Sequence, residues 1–326
     1  MSDWKTLSRR VLDGVRISRE EALAVLAAPD EELLDVLAAA FAVRRRHFGL
    51  GVTLHVIRNA QSGICTEDCA YCSQSAVATS DIPRYPLQTV DDLVAGAREA
   101  RELGAIRYCM VISARGPVEA ELDTVCEAVG RIKREAPIQI CTSLGLLTAA
   151  QAARLKAAGV DRYNHNLETA ERVYGQICTT HTYADRVATA RTAKQAGLEL
   201  CSGGLLGVGE TPADRVDLAL ALRELGADSI PVNFLDPRPG TRLAGLTRIR
   251  PTEALKALAM FRFVNPDREI RIAGGREAVL GAMQVLALYA ANSMFTRGYL
   301  TTGGQGCEAD RAMLEAAGFE VTALIE

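Results

Sequence analysis

The stretch Arg98-Glu99-Ala100-Arg101-Glu102-Leu103-Gly104-Ala105-Ile106-Arg107-Tyr108-Cys109-Met110-Val111-Ile112-Ser113 runs from a helix-forming pattern through a glycine into an apolar run. A glycine just past the last helical residue accepts the left-handed backbone that other residues avoid, so it ends a helix. The run after it is too short for a helix and is flanked by turn residues, which marks a buried strand. The same order recurs around Gly159, Gly197 and Gly226, a weak internal repeat of helix, glycine and strand. Working outward, this punctuation predicts strands at 52–57, 106–113, 138–143, 162–167, 198–205, 229–234, 269–273 and 292–296. Eight strands alternating with helices predict an α/β chain with a single (β/α)8 TIM-type barrel, whose chemistry gathers at the C-terminal ends of the strands.

Residues 1–48 read differently. Ser18 and Glu21 form a capping box, and Leu23, Val25, Leu26, Leu33, Leu34, Val36 and Leu37 recur at helical spacing. The expected organisation is an N-terminal helical segment over 1–48, acting as a lid or collar, and a barrel with a C-terminal tail over 49–326, with no linker or second domain. Arg44, Arg45 and Arg46 end the last of these helices and read as a solvated face near the negative end of its dipole.

The 326 residues carry a net charge of −3, so no overall basic field exists to hold nucleic acid or an acidic membrane surface. Met1–Lys5 lack the build of a signal peptide, and no run of about 18 apolar residues suggests a membrane span. The expectation is a cytoplasmic protein acting on small molecules. Nine cysteines in such a chain point to metal ligation or catalysis before disulfides.

Three of them stand in Cys65-Thr66-Glu67-Asp68-Cys69-Ala70-Tyr71-Cys72, in the loop after the first strand. Three thiolates can hold three irons of a cubane and leave the fourth open to a ligand. A structural zinc site is disfavoured, because zinc sites close with four ligands and no second pair or histidine stands at suitable spacing. The spacing, with an aromatic residue before the third cysteine, resembles the signature loop of the radical S-adenosylmethionine (SAM) superfamily. That resemblance implies a [4Fe-4S] cluster on Cys65, Cys69 and Cys72, SAM on its open iron, a 5′-deoxyadenosyl radical, and Tyr71 beside the adenine.

Cys109, Cys141 and Cys201 fall in the second, third and fifth predicted strands and Arg271 in the seventh. Taken singly each cysteine is an ordinary buried residue. Inward-facing residues of different strands nevertheless converge on the barrel axis, so the four could share one site. The segments Arg107–Met110, Cys141–Gly145, Tyr163–Thr169, Cys201–Gly204, Ile230–Asn233 and Ile270–Glu277 together resemble the biotin synthase family from the signature loop to the C-terminus.

By that resemblance, an auxiliary [2Fe-2S] cluster, or a larger four-iron form, sits on Cys109, Cys141, Cys201 and Arg271 and gives up sulfur to dethiobiotin. SAM is held by Tyr71, Asn166, Glu168, Arg186 and the backbone of Gly207 and Val208, and the substrate by Asn164, Asn166 and Asn233. The partners implied are a flavodoxin or ferredoxin as electron donor, iron–sulfur assembly proteins, and a second copy in a homodimer. Glu168 stands where the familiar members carry Asp. Cys178, on the loop after the fourth strand, reads as a buried thiol or an extra ligand to the auxiliary cluster. Cys126 and Cys307 read as structural, and no histidine is assigned to metal. The rivals are another radical SAM enzyme on the same barrel, a mutase or maturation enzyme, and a non-catalytic iron–sulfur sensor.

Overall fold

All four punctuating glycines take positive φ angles, +70° at Gly104, +103° at Gly159, +79° at Gly197 and +63° at Gly226. Each hands the chain from a helix to a strand, as the repeat requires. The computed structural model describes residues 3–322. Its strands are β1 (Gly51–Gln61), β2 (Arg107–Ile112), β3 (Gln139–Ser143), β4 (Arg162–Asn164), β5 (Glu199–Cys201), β6 (Gly204–Leu206), β7 (Ser229–Phe234), β8 (Glu269–Ile272), β9 (Ser293–Phe295) and β10 (Glu320–Val321). They pair in parallel, and β9 pairs with β1 to close the barrel.

The fifth predicted strand is split into β5 and β6, which together occupy one of the eight barrel positions. Close backbone approach explains the break. A Cβ on Gly203 would lie 1.9 Å from the Pro231 carbonyl oxygen, and one on Gly204 would lie 2.7 Å from that of Glu168. The fourth strand stops at Asn164, earlier than predicted, but Glu168 still bridges to Gly204. β10 is an addition that the repeat does not foresee; it pairs Glu320 and Val321 with the first residues of β1.

Three helices precede the barrel, α1 (Trp4–Leu12), α2 (Arg19–Ala27) and α3 (Leu33–Phe48). The Ser18–Glu21 capping box opens α2 as expected, whereas Leu34 stays exposed. Around the barrel run α4 (Val90–Glu102), α5 (Glu119–Glu135), α6 (Ala149–Ala158), α7 (Glu171–Ile177), α8 (Tyr183–Gln195), α9 (Pro212–Glu224) and α10 (Pro251–Val264). Threonines 89, 148, 182 and 211 cap α4, α6, α8 and α9, each satisfying an amide that the first turn leaves unpaired.

Every residue of α10 from Ala254 to Val264 is buried, because the barrel covers one side and α2 and α3 the other. Lys256 donates to the Ala28 carbonyl and pairs with Asp30 at 2.6 Å, and Arg19 pairs with Asp217 of α9 at 2.8 Å. Among the described residues, these N-terminal helices pack on the barrel wall, and none of them lines the cavity described below. The ends of the two expected segments, residues 1–2 and 323–326, lie outside the described residues. The arginine cluster also needs correction. Arg45 and Arg46 are solvated, but Arg44 is fully buried and donates to the carbonyls of Ala291, Gly49 and Gly51. Those carbonyls lie just before β9 and at the entry to β1, so a buried cation near the end of α3 ties these helices to the barrel seam.

Candidate functional site

A cavity of about 400 Å³ opens at the C-terminal ends of the strands, with Tyr71 and Cys72 on its wall and Cys109, Cys141 and Arg271 toward the barrel interior. Cys72 of the signature loop and Cys109 and Cys141 of the barrel strands thus line one space, although the two sets are built by different means.

The signature loop lies between β1 and α4 and contains no helix or strand around its cysteines. Its shape comes from side chains of the segment joining α7 to α8. Asp68 accepts from the Thr179 amide at 2.9 Å, the Thr179 hydroxyl at 2.6 Å and the Thr180 amide at 3.3 Å. Glu67 accepts from the Thr180 hydroxyl at 2.6 Å, from Arg115 at 3.1 Å and from His181 Nδ1. Burial alone would raise the Glu67 carboxyl, but the bonds from Thr180, His181 and Arg115 outweigh it and hold the group below its ordinary value. Arg242 donates to the Asp68 carbonyl at 2.5 Å, and the Ala70 amide donates to the Ile177 carbonyl at 2.8 Å.

The residues present fit an iron–sulfur cluster. The Glu67 amide points at Cys65 Sγ and the Gln74 amide at Cys72 Sγ, both at 3.4 Å, which is the pattern that stabilises thiolates. Burial pushes the Cys72 thiol up to about 11. The Cys69 thiol is raised by its bond to Cys178 and by burial, and Cys65 is raised by burial. Thiols in this state become thiolates against a metal cation.

The floor is set by strand register. Cys109 of β2 stands beside Cys141 of β3, and Asn164 of β4 beside Cys201 of β5. The three cysteines, all buried, form one cluster with Ala273 and Phe295. Arg271 Nη1 donates toward Cys201 Sγ at 3.6 Å, and its guanidinium carbon lies 4.9 Å from the centre of the Phe295 ring. Its Nη2 donates to Ser229 at 2.8 Å and to Glu269. Glu269 in turn pairs with Arg162 at 3.1 Å and lies 3.4 Å from His55 Nε2. Burial would raise the Glu269 carboxyl, but Arg162 and Arg271 hold it well below its usual range. Arg271 Nε is buried without a partner, an unsatisfied donor beside three thiols. Three soft sulfurs and one directed cation suit a second cluster.

The residues expected to hold SAM and substrate divide into groups. Tyr71, Asn164, Asn166, Glu168 and Asn233 all line the cavity. Glu168 takes a φ of +69°, and burial raises its carboxyl. Asn166 Oδ1 accepts from the Gly203 amide at 3.1 Å. Asn164 Nδ2 reaches Cys201 Sγ at 3.2 Å, which sets it nearer the floor than the mouth. Asn233 ties strands together, donating to the Gly204 carbonyl at 3.1 Å and accepting from the Gly274 amide at 2.9 Å. Arg186 does not line the cavity. It supports the wall from behind, donating to the Asn166 carbonyl at 2.8 Å and lying 3.7 Å from Glu168. The amides of Gly207 and Val208 donate to Glu210 at 2.8 and 2.7 Å, so only their carbonyls remain for a ligand.

Cys178 is buried, as one of its two sequence readings has it, but it does not stand beside the auxiliary set. It caps the C-terminus of α7, with its Sγ 3.9 Å from Cys69 Sγ, and belongs to the signature loop's surroundings instead of the floor. Among the described residues, Cys69, Cys178 and His181 offer ligand atoms within 4.8 Å of one another. Sequence reasoning also missed the wall formed by Tyr299–Gly303, where Leu300 takes a φ of +50°. The Gly298 and Gly303-Gly304 punctuation after the last barrel strand was a signal for it.

The chain matches the radical SAM superfamily over residues 61–222 and the Biotin and Thiamin Synthesis associated domain over residues 231–320. It is 56% identical over 320 residues to the biotin synthase of Salinibacter ruber, spanning 98% of this chain and 89% of that protein. It is 51% identical to the biotin synthase of Geobacillus kaustophilus, spanning 98% and 96%. Among solved structures, methylornithine synthase superposes with a TM-score of 0.85 at 22% identity over 97% of each chain. The hydrogenase maturase HydG of Carboxydothermus hydrogenoformans does so with 0.82 at 19%, over 98% of this chain and 79% of its own. These two share the barrel, while the identity to the curated relatives over nearly the whole chain decides the family: the protein belongs to the biotin synthase family of radical SAM enzymes.

Proposed function

We propose that the chain catalyses SAM-dependent insertion of sulfur into dethiobiotin to give biotin, as a sulfurtransferase. The observation that carries this reading is one cavity lined by Tyr71 and Cys72 of the signature loop at its mouth and by Cys109, Cys141 and Arg271 at its floor, where Cys201 packs against the other two cysteines. When bound, a [4Fe-4S] cluster on the first set supplies the electron that opens SAM, and an auxiliary cluster on the second supplies the sulfur.

The chain's own residues do the rest. Tyr71 offers an aromatic face beside Cys72, and Asn166 and Glu168 offer polar groups at the height where SAM's sugar and charged ends would lie. Asn164 and Asn233 stand deeper and suit the ring amides of dethiobiotin. Buried walls keep water and quenching side reactions from a carbon radical formed between the two sets. Arg271, fixed by Glu269 and Ser229, sets a positive charge against the floor thiolates. Because Cys178 lies at the mouth, the floor offers three sulfurs and one guanidinium, which favours the smaller [2Fe-2S] form. A flavodoxin or ferredoxin as reductant, iron–sulfur assembly proteins and a homodimer belong to the same proposal. Among the described residues, no helix is long and apolar enough to cross a membrane.

The test is anaerobic turnover of reconstituted protein with SAM, reductant and dethiobiotin, following biotin by mass spectrometry and both clusters by Mössbauer spectroscopy. Biotin formed as the auxiliary signal decays is the expected result. Accumulation of 5′-deoxyadenosine without biotin, with both clusters intact, would leave a radical SAM enzyme and remove this substrate.

A further inference from the structure

The layer of the barrel beneath the floor is charged. Side chains two apart on a strand share a face and stand about 7 Å from one another. Tyr108 and Met110 pack outward against the helices while Cys109 joins the floor cysteines, so Arg107 points into the barrel one layer below Cys109. By the same alternation Gln139 lies below Cys141, Arg162 below Asn164, Glu199 below Cys201 and Glu269 below Arg271.

Together Arg271 and this layer hold three guanidiniums, of Arg107, Arg162 and Arg271, against two carboxylates, of Glu199 and Glu269. His55 adds no charge, because burial and then Arg271 hold its imidazole well below its ordinary value. Glu269 pairs with Arg271 and Arg162, and Glu199 takes Arg162 at 2.8 Å. Arg107 is what remains. Its Nη2 donates to Gln139 and lies 3.4 Å from Glu199, whose side chain is half exposed. Its Nε and Nη1, on a residue only 3% exposed, have no hydrogen-bond partner among the described residues. A buried cation with unpaired donors is costly unless an anion completes it.

We propose that Arg107 is a positioning residue whose buried charge retains the auxiliary cluster on Cys109, Cys141 and Cys201. This rests on the reading that those cysteines hold that cluster. A two-iron, two-sulfide core with both irons ferric carries two positive charges, and three thiolates leave the whole with a single negative one. The floor and the layer beneath it carry a single positive charge in surplus. Opposite charges attract strongly across a few ångströms of dry protein, so the loaded barrel is near neutrality and the empty one is not.

The experiment compares the reconstituted full chain with Arg107→Met, which keeps the length of the side chain and loses its charge, and with Arg107→Lys, which keeps the charge. Loss of the auxiliary cluster to EDTA is followed by Mössbauer spectroscopy and its reduction potential by visible spectroelectrochemistry, while the urea midpoint is read on the cluster-free chains. Arg107→Met is expected to lose the auxiliary cluster about tenfold faster and to lower its potential. Its urea midpoint should stay at or above the parent's, since Gln139 and Glu199 are both exposed and Glu199 keeps Arg162, so no buried partner is stranded. Arg107→Lys is expected to stay near the parent in both cluster readings. Parent-like retention and potential in Arg107→Met would overturn the proposal. So would a lysine variant that loses the cluster as fast as the methionine one, or a fall in the cluster-free urea midpoint of Arg107→Met, since either makes the shape of Arg107 matter instead of its charge. A parent chain that takes up no second cluster would instead bring down the proposed function, which separates the two failures.

Discussion

The mouth and the floor of the cavity each gather three cysteines, but they reach that arrangement by opposite routes. At the mouth the cysteines fall within eight consecutive residues, and their loop is shaped by side chains of Thr179, Thr180, His181, Arg115 and Arg242. At the floor they come from β2, β3 and β5, and backbone register alone sets Cys109 beside Cys141. The mouth is a motif that depends on polar bonds made by distant residues. The floor is a coincidence of strands that depends on barrel closure and on one buried charge network.

The sharpest way to break that contrast is to remove one ligand from each end. Cys72→Ala is expected to abolish 5′-deoxyadenosine formation, whereas Cys201→Ala should keep SAM cleavage and lose biotin, as read by chromatography of both products. Loss of SAM cleavage in Cys201→Ala would show that the two ends are not independent.

Next in size is Glu269→Gln, which strands the buried guanidinium of Arg271 and leaves Arg162 with Glu199 alone. Breaking a buried pair in this way costs roughly 3–5 kcal/mol, read as a fall in urea midpoint of the cluster-free chain. The Glu269 carboxyl is held below its ordinary value, so the gap between parent and variant is full above the unfolded carboxylate value of about 4.3 and closes as pH falls through the folded one.

At the mouth, Thr180→Val removes bonds to both Glu67 and Asp68. A supporting group of this kind is worth about 10–100-fold in metal affinity, measurable as faster loss of iron to a ferrous chelator with little change in urea midpoint. The N-terminal helices give the smallest effect. Arg44→Ala leaves buried carbonyls without a donor and should cost about 1–3 kcal/mol, whereas Arg45→Ala should stay within about 0.5 kcal/mol.

The barrel was legible because its repeat is local: a glycine with positive φ follows α4, α6, α8 and α9, and an apolar run follows each glycine. The signature loop was legible for the same reason, since its three ligands sit in one short phrase. The floor residues were found through resemblance, because a buried cysteine in a strand looks like any small core residue until the register is known. What stayed hidden depends on tertiary partners. Arg44 looks like an ordinary cation at a helix end, and only the fold brings the Ala291 carbonyl to it. Cys178 is far from Cys69 in sequence, and the short helix α7 turns it toward the mouth. The amides of Gly207 and Val208 look free in sequence, yet Glu210 reaches back to occupy both.

The register of the floor also dictates an order of manufacture. Its last donor, Arg271, lies on β8, and the barrel closes only when β9, near the end of the 326-residue chain, pairs with β1. A chain still emerging from the ribosome can already carry the loop cysteines and, once Arg242 is made, the partners that shape them, while its floor does not yet exist. On the proposed reading, whatever delivers iron and sulfide to the floor must therefore serve a finished barrel and reach its interior by way of the mouth. SAM lodged beside Tyr71 would stand in that path, so reloading the floor belongs to the interval when the mouth is empty.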